Sequence, residues 1–153
     1  MAIRVRPMAE RDLEAALPLF AGYQRFYESE SDDGRNLAFF RRFLAPSEDG
    51  LLVGAWDEDR LVGFACSYWT FSSTVADDIA LMNDLFVEED YRGRGVGHAL
   101  IDATVEAARE RGLHHVEWFT ATDNEVAQRL YDRTGAERSA WYAYEIPTRE
   151  EPS

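Results

Sequence analysis

The sequence contains no lysine; all sixteen of its basic residues are arginine. A P-loop needs a lysine after its last glycine, so that class of phosphate site is excluded. Cysteine occurs once, at Cys66, and one cysteine cannot form an internal disulfide. No apolar run approaches the ~20 residues of a membrane span, and the start, Met1 to Pro7, lacks the apolar core of a signal peptide. These absences together lead us to expect a cytoplasmic protein without a membrane partner. Positive charge is also scarce: sixteen basic against twenty-nine acidic residues give a net charge of −13. That balance argues against a nucleic-acid partner bound through its phosphates and permits cationic ones. The 153 residues, 46% hydrophobic and 13% aromatic, suit a single folded domain over 1–153 with a proper core.

The hydrophobic pattern alternates between strand and helix periods. Ile3 to Arg6 alternates and meets Pro7, as a short edge strand does. Leu13, Ala16, Leu17, Phe20, Tyr23 and Phe26 give the next helix one apolar face, with Pro18 expected to kink or restart it. An acidic loop follows, carrying Glu28, Glu30, Asp32 and Asp33. A second helix turns Leu37, Phe40 and Leu44 inward and stops near Pro46. Leu51 to Trp56 and Arg60 to Tyr68 form a hairpin about an acidic turn. Thr70 to Asp78 reads as a polar connection to an apolar strand that begins near Leu81. A helix over about Val96 to Arg111 ends at Gly112. Then come a strand at Val116–Thr120, a helix from Glu125 to about Arg133 capped near Asn124 and closed by Gly135, a last strand over about Ala140 to Ile146, and a frayed tail at 147–153. This order predicts an α/β domain on a mixed sheet.

Between the Leu81 strand and its helix lies Arg92-Gly93-Arg94-Gly95-Val96-Gly97. Alternate glycines let backbone approach an anion, and a helix N-terminus supplies unpaired N–H groups with a partial positive charge. With Arg92 and Arg94 beside them, this stretch reads as a cradle for a pyrophosphate. A dinucleotide fingerprint needs glycine at the first, third and sixth positions; counted from Gly93, the sixth is His98. What remains is Arg-x-x-Gly-x-Gly after a strand. A second constellation, Asn124-x-x-Ala127-x-x-Leu130-Tyr131, lies one strand and one helix start further on.

The two motifs, in this order, resemble those of the GCN5-related N-acetyltransferase (GNAT) superfamily, and the order of elements agrees from Ile3 to Ile146. Leu81–Gly97 and 118–133 look most like the diamine and histone-type members. The resemblance implies a mostly antiparallel mixed sheet flanked by helices, with a bulge at 83–87 splaying that strand from Val116–Thr120 around acetyl-CoA. It implies pantetheine on the backbone of Leu85, Phe86 and Val87, pyrophosphate on Arg92, Gly93, Arg94, Gly95, Val96, Gly97 and His98, and Asn124 on the pantetheine arm. Tyr131 would approach the sulfur and protonate the departing thiolate. The implied activity is acetyl transfer from acetyl-CoA to a primary amine in a ternary complex.

The chain departs from this pattern at Asn83, where diamine acetyltransferases carry a glutamate proposed as general base. Asparagine cannot take a proton. Asp84 is next along but points to the other face of a regular strand unless a bulge re-aims it; a water chain to a carboxylate is the other option. Adjacent His114 and His115, without ligand-spaced partners, do not suggest a metal site. In the resembling family the loop with Glu28, Glu30, Asp32 and Asp33 borders the acceptor side, so the expected acceptor is a cationic amine such as a polyamine. The alternatives are a protein lysine or a non-catalytic acyl-CoA-binding regulatory module. Aromatics on both faces of 139–144 suggest a homodimer.

Overall fold

The computed structural model describes residues 2–149, and the chain forms two compact units, Met1–Phe119 and Thr120–Ser153. The first is built on a five-stranded sheet: β1 (Ile3–Pro7), β2 (Gly50–Asp57), β3 (Arg60–Ser72), β4 (Asp77–Val87) and β5 (Val116–Glu117), in that spatial order. Neighbours from β1 to β4 run antiparallel, and β5 joins β4 in parallel. This is the mixed, mostly antiparallel sheet that the sequence predicts. Its helices are α1 (Leu13–Phe26), α2 (Asp33–Arg41) and α3 (Val96–Glu110). Among the described residues no helix is long and apolar enough to cross a membrane.

The two faces of the sheet are sorted by the alternation of β3. Phe64 and Cys66 join Leu13, Phe20 and Phe40 in one buried cluster, so this face carries α1 and α2. Phe20 stacks on Phe40 with centroids 3.7 Å apart, and Phe64 meets Phe20 edge-on at 5.0 Å. The other face takes α3: an added Cβ on Gly63 would sit 3.3 Å from Leu100. Gly22 serves the first face in the same way. A Cβ there would lie 2.8 Å from Cζ of Phe86, so the glycine lets α1 rest directly on β4.

Several expectations are corrected. Pro18 does not interrupt α1, which runs unbroken from Leu13 to Phe26. Proline removes one backbone bond near the start of the helix, and the burial of Leu19 and Phe20 just beyond it holds the helix to the sheet. Phe26 is 58% exposed rather than inward. The supposed connection at 70–78 is mostly ladder, with Thr70, Phe71 and Ser72 pairing with Ile79, Asp78 and Asp77. Backbone pairing there outlasts the apolar pattern, and Phe71 is 78% exposed. β5 covers only Val116–Glu117 of the expected 116–120.

In the second unit, α4 (Glu125–Asp132) is capped by Asn124, whose Oδ1 accepts from the Ala127 N–H at 3.2 Å. Gly135 follows with φ +83°, the left-handed conformation that suits a helix stop. No strand forms at 140–146. Its aromatics give it strand propensity, but a strand persists only when paired, and no ladder partner is present among the described residues. The expected frayed tail falls in part, at 150–153, outside the described residues.

The close approach at Gly22 is testable. Gly22→Val should destabilise the fold by about 1–3 kcal/mol through overpacking against Phe86, read as a lowered Tm. An unchanged Tm would show that α1 does not rest on β4 as described.

Candidate active site

The site is organised by the register of β4. Cys66 of β3 faces Asp84, but the next residue, Ser67, faces Met82, so Asn83 is an extra, bulged residue. Tyr68 then faces Leu81. Because β3 alternates without interruption here, the bulge changes the parity of β4. Phe86, Asp84 and Leu81 lie on the α1/α2 face, opposite Phe64, Cys66 and Tyr68.

Asp84 is 3% exposed. The Asn83 side-chain amide donates to its Oδ1 at 2.6 Å. The Tyr23 hydroxyl, carried in by α1, donates to the Asn83 carbonyl at 2.9 Å and clamps the bulge. Burial pushes the Asp84 carboxyl up from the ordinary 3.8 to about 6, opposed by the hydrogen bonds from Asn83 and Tyr23. Burial, reinforced by the Asp84 charge, holds the phenols of Tyr23 and Tyr68 well above their usual range. The same two causes raise the Cys66 thiol, which is fully buried and stays protonated. A carboxyl that titrates near neutrality, among phenols and a thiol that do not, can exchange a proton at working pH.

The other edge of β4 is open over its second half. Pairing with β5 is confined to Ala80–Val116 and Leu81–Glu117, so among the described residues no strand pairs with Met82 to Val87 on that side. Leu85, Phe86 and Val87 are only partly buried. All three pair with β3 on the other side, and the Val87 carbonyl accepts from Arg92.

The turn after β4 leads to the cradle. Arg60, just after the β2–β3 turn, pairs with Glu88 at 2.6 Å, and the Tyr91 hydroxyl donates to Asp57 at 2.6 Å. Arg92 donates from Nε to the Val87 carbonyl at 2.9 Å, while the Arg94 guanidinium lies 5.4 Å from the Tyr91 ring. Gly93 and Gly95 have φ of +76° and +84°, and a Cβ at either would meet nothing within 4 Å. Only glycine takes this backbone readily, and the space beside it is open to an anion. Gly95 is the N-cap of α3 and offers no side-chain cap, which leaves the first N–H groups of a fifteen-residue helix pointing outward beside two arginines. His98, on the first turn, has its Nε2 3.7 Å from Asp102. These residues fit the pyrophosphate and pantetheine of coenzyme A.

Asn83, Asp84, Leu85–Val87 and Arg92–His98 therefore lie along one continuous strand-turn-helix path. Asn124 and Tyr131 share α4 in the second unit. The four acidic loop residues are exposed, and Asp32 has a structural duty, accepting the Arg35 N–H at 2.7 Å as N-cap of α2. His114 and His115 contact each other through Nδ1 atoms at 2.8 Å, and His115 reaches Glu117 at 3.0 Å. No group of three or more possible metal-ligating His, Cys, Asp or Glu side chains is found among the described residues. Sequence reasoning missed Tyr23 as the clamp on the bulge. It is one of several aromatics on an apolar helix face, and only the register shows that it meets Asn83.

The model of the acetyltransferase (GNAT) family matches residues 15–136. This chain belongs to the GNAT acetyltransferase family. It is an acetyl-CoA-dependent N-acetyltransferase, and both motifs lie inside the matched span. An uncharacterized N-acetyltransferase of Bacillus subtilis is 31% identical over 142 residues, covering 93% of this chain and 95% of that protein. A D-amino-acid N-acetyltransferase of Saccharomyces cerevisiae is 32% identical over 133 residues, covering 86% and 83%. An aminoglycoside N-acetyltransferase solved in complex with CoA shares the fold, with a TM-score of 0.82 at 19% identity over 96% of this chain and 95% of that one.

Gly95→Asp in this GNAT cradle would put a carboxylate and a Cβ where the phosphates are expected. Coenzyme A affinity should fall at least tenfold, about 1.4 kcal/mol, by calorimetry on the folded variant. Unchanged affinity would remove the cradle assignment.

Proposed function

We propose that this N-acetyltransferase moves acetyl from acetyl-CoA to a cationic primary amine by direct attack, with Asp84 as the terminal proton acceptor. The observation that carries this reading is the buried Asp84 carboxylate beside the Asn83 bulge, at the start of the open edge of β4. An ammonium has no lone pair, so the amine must first lose a proton. Asp84 accepts it, through water if the amine stands off the strand. The nitrogen then bonds to the thioester carbon, a backbone N–H at the bulge stabilises the oxyanion, and the carbon–sulfur bond breaks. Tyr131 donates the proton that leaves with sulfur. Cys66 is fully buried and its thiol is held protonated by burial and the Asp84 charge, which speaks against an acyl-cysteine route.

In this reading Leu85–Val87 hold the pantetheine and Arg92–His98 the pyrophosphate. The acidic loop, on a chain of net charge −13, favours capture of a polycation, so a polyamine is the acceptor class we put forward. The similarity to a D-amino-acid acetyltransferase makes amino acids the competing class. Trp141, Tyr142 and Tyr144, 80%, 90% and 92% exposed, are the surface we assign to a homodimer contact.

The rate kcat/KM should climb as pH rises through about 6, where Asp84 loses its proton. Asp84→Asn should cut turnover by ~10²–10⁴ and remove that limb. Stability should move the other way. Folding raises this carboxyl's pKa, so the stability its proton contributes is complete below about pH 4 and lost as pH rises through about 6. Above that, Asp84→Asn should therefore stabilise the fold by on the order of 3 kcal/mol. A variant that keeps full turnover, or that is destabilised at pH 8, would contradict the assignment. Tyr131→Phe keeps the ring and removes the proton; turnover should fall ~10²–10⁴ with acetyl-CoA binding nearly unchanged. Full turnover would leave Tyr131 a packing residue.

A further inference from the structure

Asp84 is 3% exposed, so an amine outside the sheet needs a neighbouring group to pass its proton inward. The groups that feel the carboxylate come from three elements. Cys66 and Tyr68 stand on β3, Tyr23 lies on α1, and Tyr27 follows the end of that helix. Asn83 precedes Asp84 in β4. Two of these side chains hydrogen-bond to the carboxylate: the Asn83 amide, at 2.6 Å, and the Tyr23 hydroxyl.

These two differ in what they can carry. A side-chain amide nitrogen donates N–H and does not accept, so Asn83 can hold the carboxylate but cannot take up a proton as it gives one. A phenol has one O–H to give and lone pairs that accept. Tyr23 is half-buried, and the Tyr27 ring 5.0 Å from its own is 51% exposed. Tyr23 therefore stands between the buried carboxylate and the surface. Its hydroxyl has a second acceptor in the Asn83 carbonyl at 2.9 Å. One phenolic proton thus has acceptors on two adjacent residues, and rotation of the hydroxyl moves it between them. Burial and the Asp84 charge hold this phenol well above its usual range, so it does not ionise alone. A proton that travels through Tyr23 must arrive as the other leaves.

We infer that Tyr23 is a catalytic proton relay, its oxygen taking a proton from the acceptor ammonium while its own proton passes to Asp84. The nitrogen keeps the electron pair of the broken N–H bond and becomes the nucleophile. Tyr23 ends as it began, a neutral phenol, and the charges of ammonium and carboxylate are both removed. After acetyl transfer the Asp84 proton returns to solvent by the same path reversed. The inference rests on the proposed role of Asp84 as terminal acceptor and adds the route to it.

The test is thiol release from acetyl-CoA by the full chain and by Tyr23→Phe, Asp84→Asn and the double variant, between about pH 5 and pH 9. Spermidine and an amino-acid panel supply protonated amines. Hydroxylamine, neutral at pH 8, needs no deprotonation before it attacks. With the fastest protonated amine, Tyr23→Phe should lose ~10²-fold or more in kcat/KM, and the double variant should be no slower than Asp84→Asn. The phenol's hydrogen bond holds the Asp84 carboxyl down, so the rising limb in Tyr23→Phe should move to higher pH. With hydroxylamine at pH 8 each variant should keep most of its rate, and coenzyme A affinity by calorimetry should not change. If Tyr23→Phe loses coenzyme A, 3-fluorotyrosine at position 23 keeps the hydroxyl with a more acidic phenol, and a rate shift confined to the protonated amine is then required. Equal losses with both kinds of amine would leave Tyr23 a clamp on the bulge and overturn the relay. So would full turnover of the protonated amine by Tyr23→Phe, or losses that multiply in the double variant. An inactive Asp84→Asn beside a fully active Tyr23→Phe keeps Asp84 as acceptor and removes the relay. A fully active Asp84→Asn removes both.

Discussion

The bulge at Asn83 is a backbone constraint on which the rest of the site depends. One extra residue in β4 reverses which side chains share a face with β3. Without it, Asp84 and Leu81 would lie on opposite faces of the sheet. With it, Asp84 is buried under α1, its neighbour amide is turned to it, and Tyr23 closes the arrangement from the helix. A few residues on, the open edge of the same strand leads to the glycine turn and the start of α3. The residues proposed to hold pyrophosphate and pantetheine and to meet the amine then follow one another along a single stretch of chain.

The carboxylate has a cost that the fold carries. A buried charge without a cationic partner opposes folding, and here only neutral donors stand beside it. The large aromatic cluster around Phe20, Phe40 and Phe64 supplies the packing that tolerates it. This is the usual relation between a strained functional group and a core that over-determines its position. The fully buried Cys66 fits the same picture, since its thiol adds no second charge next to Asp84.

Much of this was legible in the sequence for identifiable reasons. Glycines at alternate positions before an amphipathic helix mark a tight turn into it, so the glycine turn and α3 could be placed from spacing. The β2–β3 hairpin and the Asn124 cap followed from equally local chemistry. The bulge came only with the family resemblance, which implies it at 83–87, because Ile79 to Met82 is apolar throughout and shows no alternation from which parity could be read. Asp32 looked like a free acid and is also a helix cap, since a cap and a surface charge use the same residue types. The strand expected at 140–146 failed because propensity is local and strand pairing is not.

The central claim is that amine and thioester meet directly at the Asn83 bulge, with no acyl group parked on the protein. Steady-state initial velocities, with acetyl-CoA and a polyamine varied against each other, test it most directly. Reciprocal plots that intersect are the predicted result, as both substrates must be bound together before acetyl moves. Parallel lines, with acetyl retained on the protein after mixing with acetyl-CoA alone, would contradict it.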